Sequence, residues 1–507
     1  MFQEDPLVSS LTTEELSLYQ KLQKQFANSF DQLISDVNSP KTVVIIPSLT
    51  LDQQIMSRIS GVHHYEERML CLLLLLRMPR TKVIFVTSTP IHDSIIDYYL
   101  HLLPGVPTRH SRARLSLMSC YDSSPIPLSQ KILDRPRLIE AIRQQIPDYS
   151  VAHMSCFTVT ETERKLGLEI GVPIFGCDPS LLYWGSKSGS RKVFKEAGVD
   201  MPIGHEDLTD VDDIVQSVVE IKERKPELAK AVIKVNEGFS GEGNAILNFQ
   251  NAPDESGLKS WVQEQLPQLN FTADGMTWEL YQEKFKAMGG IVEEFIPGDI
   301  KTSPSAQFRI DPLGRLAAIS THDQVLEGDD AQTFTGCRFP ADEAYRLEIQ
   351  SQGMASAEIL SKKGVLGRFG VDFISVKENE KWKHYAIEIN LRKGGTTHPF
   401  LMLQFLIDGH YDPETGQYLT SGGAPRCYYA SDNLESQSYQ GLTPDDLIDI
   451  SVMNGLHFHA AIGEGVAFHL IGALSEFGKL GIVSIGETSE RADALYQKTV
   501  QVLNKEC

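Results

Sequence analysis

The chain is short of basic residues. Lysine and arginine number 47 against 67 aspartates and glutamates, for a formal net charge of −20. Such a field repels nucleic-acid backbones and anionic bilayers, so partners of either kind are not expected, although a local basic pocket for phosphates is still allowed. Cysteine is sparse and scattered, at 71, 120, 156, 177, 337, 427 and 507. The count is odd and no two form a CxxC pair, which speaks against a disulfide framework or a thiolate zinc site and for a reducing, cytoplasmic setting. No apolar run is long enough to span a membrane. The most lipid-like stretch, MLCLLLLLRM at 69–78, reads as a buried helix. The first twenty residues lack the basic start and apolar run of a secretory signal. Familiar motifs are missing as well. No GxGxxG follows the first strand, no GK[ST] closes a glycine loop, and no GxSxG or Cys–His arrangement offers a covalent nucleophile.

What is present is an ordinary globular composition, 41% hydrophobic and 22% charged over 507 residues, enough for two to four domains with large cores. A polar helical lead covers 8–38. KTVVIIPSLT (41–50) and TKVIFVTST (81–89) are long apolar strands flanking a helix near 63–77, the pattern of a parallel sheet covered on both faces. Residues 153–177 repeat strand, helix, strand. From 185 the pattern changes. A helix is stopped by Gly198, and then 230–249 gives strand, glycine turn, strand. Hairpins follow around 311–314 and across 367–390, with a helix near 341–363 between them. A Gly-, Pro- and Ser-containing stretch (411–442) leads to a tail of strand, helix, strand and closing helix. The expected organisation is an α/β N-terminal domain with a parallel sheet over 1–182, an α+β domain over 183–420, and a small α+β C-terminal extension over 421–507.

Three stretches carry candidate chemistry. In the hairpin of VDFISV and HYAIEIN, a turn centred on Glu380 puts Asp372 opposite Glu388, each eight residues away. Side chains opposite one another share a face about 5 Å apart. Two such carboxylates repel, and a divalent cation with oxygen ligands removes the conflict, with Asn390 on the same face. A solvated sheet face fits the same string, and a register slip of one would separate the acids. Lys234 precedes a loop with glycines at 238, 241 and 243, suited to phosphate oxygens; a plain glycine hairpin is the alternative. IVEEFIPGD (291–299) ends an apolar strand in Glu293 and Glu294, with backbone at Phe295 and Ile296 able to meet an adenine edge. A strand end with a Pro297-Gly298 turn explains it equally.

Their order along the chain resembles the ATP-grasp superfamily over about 185–405, and most of all the peptide ligases of the pheganomycin type. The closer likeness extends into 102–122, GSKSGSRKVFKEAGV and NGLHFH (454–459). The resemblance implies a pre-ATP-grasp-like fold for the N-terminal domain and an ATP-grasp domain with a lid at about 199–298. It also implies ATP and Mg²⁺ (Mn²⁺ as a substitute), and small carboxylate and amine substrates such as amino acids or peptides. A homodimer is one assembly it allows. The implied roles are Lys187 and Lys234 on the phosphates, and the 238–243 loop, with Ser240 and Gly241, as a flap. Glu293, Glu294, Phe295 and Ile296 sit at the adenine and Asp299 at the ribose. Asp372, Glu388 and Asn390 hold the metal, and Arg392 holds the reacting carboxylate. Gly370 stands where some ligases have an arginine, the nearest being Arg368. Gln307, Arg309, His322 and Gln324 lie on adjoining strands, with Arg309 and Arg368 as further catalytic candidates. Lys393 and His398 follow the metal strand. His457 and His459 share a strand face without an identifiable third ligand, and the run 109–114 is basic. The activity implied is ATP-dependent carboxylate–amine ligation through an acyl phosphate. The alternatives are a kinase on the same fold or a silent ATP-binding scaffold.

Overall fold

The computed structural model describes residues 11–50, 56–57, 59–238, 243–253, 257–273, 275–327 and 333–506. The opening apolar strands form a parallel sheet: β1 (Lys41–Ile46), β2 (Thr81–Thr87), β3 (Leu115–Ser119) and β4 (Ala152–Cys156), in the order β3-β2-β1-β4. Every residue of β1 is buried. Val43 and Ile45 enter one core and Val44 and Ile46 another, so the continuous apolar run reflects a sheet covered on both faces. The leucine-rich stretch is buried as expected, but Val62–Arg77 winds as a 3-10 helix. Such helices are rarely this long, so packing rather than backbone preference holds this one.

A second, antiparallel sheet contains β5 (Gly204–Leu208), β6 (Lys230–Val235), β7 (Asn244–Asn248), β8 (Asn270–Phe271) and β9 (Gly290–Glu294), in the order β5-β9-β6-β7-β8. It is entered through the helix Lys187–Ala197. Ser186 caps that helix by accepting from Gly189 N at 3.0 Å, and Gly198 ends it at φ +67°. Gly189 is required there, since a Cβ would lie 1.9 Å from Tyr183 O.

The third sheet is large and curled. Its strands are β10 (Lys301–Thr302), β11 (Pro304–Ile310), β12 (Leu316–Glu327), β13 (Thr333–Phe339), β14 (Gly367–Glu378), β15 (Lys381–Asn390), β16 (Gly409–Asp412), β17 (Gln417–Thr420), β18 (Pro425–Glu435), β19 (Gly465–His469) and β20 (Lys479–Gly486). The path β10-β14-β11-β12-β13-β18-β17-β16 carries β15 on β14, and β20 with β19 on β18. The stretch 411–442 contains strands, and β18 pairs with β13, so the small C-terminal extension is joined to the central sheet. The boundary drawn at 420 falls in the turn of the β17–β18 hairpin. One hydrophobic core also joins the parallel sheet, the 3-10 helix and the C-terminal strands through residues such as Ile45, Leu73, Phe400, Tyr428 and Ile482.

The β14–β15 hairpin turns through Asn379 and Glu380, at φ +49° and +63°, flanked by the pair Glu378↔Lys381. This is a two-residue loop of the type that favours Asn-Gly. Asn379 suits its position. Glu380 is held in a left-handed conformation that disfavours a Cβ. Glu380→Gly is expected to raise the urea midpoint of the protein without changing the m-value, measured by equilibrium unfolding.

Candidate active site

A cleft of about 870 Å³ lies between the two antiparallel sheets and reaches the C-terminal ends of β1 and β4 at Leu49 and Phe157. Ligands of open parallel sheets favour that end of the strands. One wall of the cleft includes Pro202, Val232 and Ile296, and the facing sheet adds Ile374 and Ile387. The result is an apolar slot suited to a flat ring.

The acids stand on the large sheet. Along β14, Phe369, Val371 and Phe373 enter the core, while Gly370, Asp372 and Ile374 line the cleft. On β15 the core residues are Ala386 and Ile389, with Leu391 just past its end, so the strand changes parity part-way. The cause is a β-bulge. Pairing runs from Glu378↔Lys381 to Phe373↔Ala386, then resumes at Asp372↔Glu388. Continued without the bulge, the register would set Ile387 opposite Asp372. With it, Ile387 and Glu388 both face the cleft. The N–H groups of Ala386 and Ile389 are accepted by Asp200 O at 2.8 Å and Ser190 Oγ at 3.0 Å, which pins the bulge from the strand's outer side. The count from a turn centred at Glu380 thus reaches the right pair through two compensating half-steps.

Asp372 accepts from Asn390 Nδ2 at 2.8 Å and from Gln324 Nε2 at 3.1 Å. Burial, reinforced by the facing Glu388 carboxylate, pushes its pKa up to about 7. A buried carboxylate facing another is costly to ionise, and the oxygen-rich donor set suits Mg²⁺. Arg392 also lines the cleft, close enough for both acids to act on its charge. Lys187 Nζ lies 3.2 Å from Glu388 Oε1, and Lys234 Nζ lies 2.5 Å from Glu293 Oε1. Glu293 is also held by Arg191 at 3.2 Å, while Glu294 is held by Lys225 at 2.6 Å. Gly238 and Gly243 line the same cleft; Ser240 and Gly241 lie outside the described residues. A Cβ on Gly243 would meet Val235 Cγ2 at 2.4 Å, so this end of the loop needs glycine for close approach.

Other candidates fall elsewhere. Phe295 lines the cleft but its ring is flanked by Lys230 and Lys301. Asp299 is exposed in the loop after β9 and is not among the cleft-lining residues. Arg309 and Arg368 face one another across β11 and β14 without lining the cleft. Arg368 is covered near Cys71 of the 3-10 helix and donates to Gln404 Oε1 at 3.2 Å. The place above Gly370 is filled by the amide of Gln307, whose Nε2 would lie 2.6 Å from a Cβ there. His322 is buried against Tyr428 Oη at 2.6 Å. His457 and His459 have ring centroids 6.2 Å apart. Lys393 anchors the loop after β15 by donating to Cys156 O at the end of β4.

Sequence reading missed a further cluster. His398 Nε2 and His469 Nε2 are 2.9 Å apart, with an Asp432 oxygen within 4.8 Å of both. These are metal-ligand types, but Asp432 is paired with Arg68, and neither Nδ1 has a hydrogen-bond partner among the described residues. Metal-bound imidazoles normally donate that second N–H, so the donor set is a poor fit to a cation. No signal in the sequence joins residues so far apart.

Among solved structures, the chain shares its fold with biotin carboxylase from Campylobacter jejuni, at TM-score 0.54 and 14% identity, covering 90% of each chain. It shares it also with the biotin carboxylase domain of 2-oxoglutarate carboxylase from Hydrogenobacter thermophilus, described as complexed with MgADP, ADP and bicarbonate (TM-score 0.52, 14% identity, 91% of this chain and 89% of that one). The family pattern described as "IQCH-like, ATP-grasp" matches residues 180–271 and 255–414, and that described as "PGM1 C-terminal domain" matches 446–499. The chain has the ATP-grasp fold. Within that fold it is 28% identical over 472 residues to L-propargylglycine–L-glutamate ligase of Streptantibioticus cattleyicolor, covering 91% of this chain and 94% of the relative. It is 20% identical over 417 residues to IQ motif-containing protein H of Danio rerio, covering 73% of this chain and 39% of that protein. No described helix is long and apolar enough to cross a membrane.

The raised pKa of Asp372 has a consequence for stability. The native state holds an extra proton between about pH 4 and 7, so this group's stabilisation is full below that window and lost as pH rises through about 7. Asp372→Asn is therefore expected to raise Tm more at pH 8 than at pH 5 when divalent ions are chelated. Added Mg²⁺ should narrow the gap by stabilising the wild type, as read by differential scanning fluorimetry.

Proposed function

We propose that the chain is an ATP-dependent carboxylate–amine ligase that joins amino acid or peptide substrates through an acyl phosphate and releases ADP and phosphate. The supporting observation is the shared cleft. Asp372, Glu388, Asn390 and Arg392 face it from the large sheet, and Lys187 and Lys234 reach it from the other side. The apolar slot takes the adenine, with the Glu294–Ile296 backbone along its edge. Lys187 and Lys234 exchange their carboxylate partners for phosphate oxygens. Asp372, Glu388 and Asn390 are the residues that would hold Mg²⁺ or Mn²⁺, which when bound spreads the charge of the phosphates.

Arg392 draws the substrate carboxylate into line with the γ-phosphorus. A carboxylate oxygen attacks, the bond from the γ-phosphorus to the β–γ bridging oxygen breaks, and ADP leaves. The amine then attacks the acyl carbon, an amide bond forms and phosphate departs. Positioning and charge stabilisation supply most of the acceleration in phosphoryl transfer, so the reaction requires no covalent nucleophile from the protein.

Hydroxylamine added with ATP and pooled amino acids is expected to yield hydroxamate and inorganic phosphate. Asp372→Asn combined with Glu388→Gln should lower this turnover by at least about a hundredfold. Arg392→Ala should lower kcat by about 10²–10³ while leaving the KM for ATP within about threefold. A phosphorylated product without hydroxamate or free phosphate would identify a kinase. Tight ATP binding without turnover would identify a scaffold.

A further inference from the structure

The end of the cleft away from the adenine slot carries a buried ion pair that nucleotide chemistry does not use. Arg68, on the 3-10 helix, donates through Nη2 to Asp432 Oδ2 on β18. Both residues are cleft-lining, at 7% and 6% exposure. Arg68 lies 4.1 Å from the Tyr65 ring centroid and 5.9 Å from that of Phe157. Its Nε has no partner among the described residues.

The position of Asp432 is a second, independent observation. Pairing of β18 with β20 slips by one between Ser431 and Leu434, so Asp432 and Asn433 sit in a β-bulge and both line the cleft. The Glu388 carboxylate is aimed by the same device on β15. Bulges concentrate where a side chain must be redirected next to a site. Behind Asp432, burial keeps His398 and His469 neutral, so Arg68 is the charged partner of this carboxylate. Arg68 is also close enough to act on the charge of Arg392.

A fixed cation–anion pair in a partly apolar chamber is the complement of a zwitterion. We infer that Arg68 and Asp432 form the recognition site for an α-amino acid substrate, Arg68 receiving its carboxylate and Asp432 its ammonium. Leu49, Ile59 and Phe334 offer an apolar wall for the side chain. The role of the bound molecule as a reactant rests on the ligase reading, but the binding does not require turnover.

The test is calorimetric titration of the wild type, saturated with Mg²⁺ and a non-hydrolysable ATP analogue, with each of the proteinogenic L-α-amino acids. For each one that binds, its des-amino acid and its amide follow. At least one amino acid should bind saturably, and removing either charge should weaken binding at least about tenfold. Asp432→Asn and Arg68→Lys should do the same while the affinity for the ATP analogue stays within about twofold. A purely structural ion pair would lower Tm in both variants and leave amino acid affinity unchanged, which overturns the inference. So does a wild type that binds no amino acid, or that binds the des-amino analogue equally well. Because the analogue series needs no variant, misfolding of Arg68→Lys leaves the result decisive. Amino acid binding without ADP formation from ATP would defeat the ligase reading and keep this inference. Hydroxamate formation from acids without an ammonium group, at undiminished KM, would do the reverse.

Discussion

Two carboxylates are held face to face in a place where burial and its neighbour make Asp372 hard to charge. Asp372 and Glu388 are joined by strand pairing, so they cannot drift apart to lessen their repulsion. Their companions are chosen to bear that repulsion: an amide from Asn390, an amide from Gln324, a lysine on Glu388 and an arginine nearby. A site built this way gains most when a compact divalent charge arrives. Much of the surrounding architecture fixes the strands that impose the confrontation, from Ser190 and Asp200 on the outer edge of β15 to the Gln307 amide above Gly370.

Three layers contribute to one cleft, each suited to its part. The small antiparallel sheet carries Lys234 and Glu293 as a buried pair, so the carboxylate holds the lysine in place at the cleft. Removing one partner of such a pair leaves the other charged without compensation, which is costly. The large sheet supplies the rigid acids. The parallel sheet supplies the far end, where Leu49 and Phe157 follow the ends of β1 and β4, and Lys393 ties that edge to the loop after β15. The shared hydrophobic core holds the parallel and large sheets in one arrangement, so the distance from the far end to the acids is fixed by packing.

Much of this was legible in residue patterns. The apolar run of β1 announced a sheet covered on both sides, Gly198 marked a helix end, and alternation in VDFISV aimed Asp372 correctly. What was illegible is instructive. Ile387 reads as a core residue by alternation with Ile389, yet a bulge turns it to the cleft; no local propensity signals that extra residue. Arg309 and Arg368 share a sheet face with Asp372, and only the covering of that end by the 3-10 helix removes them from the cleft. β18 was overlooked because PRCYYASDNLE lies among turn-forming residues, and with it went Asp432 and its partner Arg68. Their contact spans more than 360 positions and depends on tertiary packing alone.

The pairing of β18 with β13 bears on how the molecule comes into being. Asp432 and Asn433 emerge from the ribosome after Asp372, Glu388, Asn390 and both lysines, and only then does the free edge of β13 gain its neighbour. Until that moment the nascent chain lacks the Arg68–Asp432 end of the cleft and has an open ladder of backbone donors and acceptors, the kind of edge that recruits other strands. Late arrival of β18 therefore leaves one edge of β13 dependent on a strand that lies 85 or more residues further along the chain.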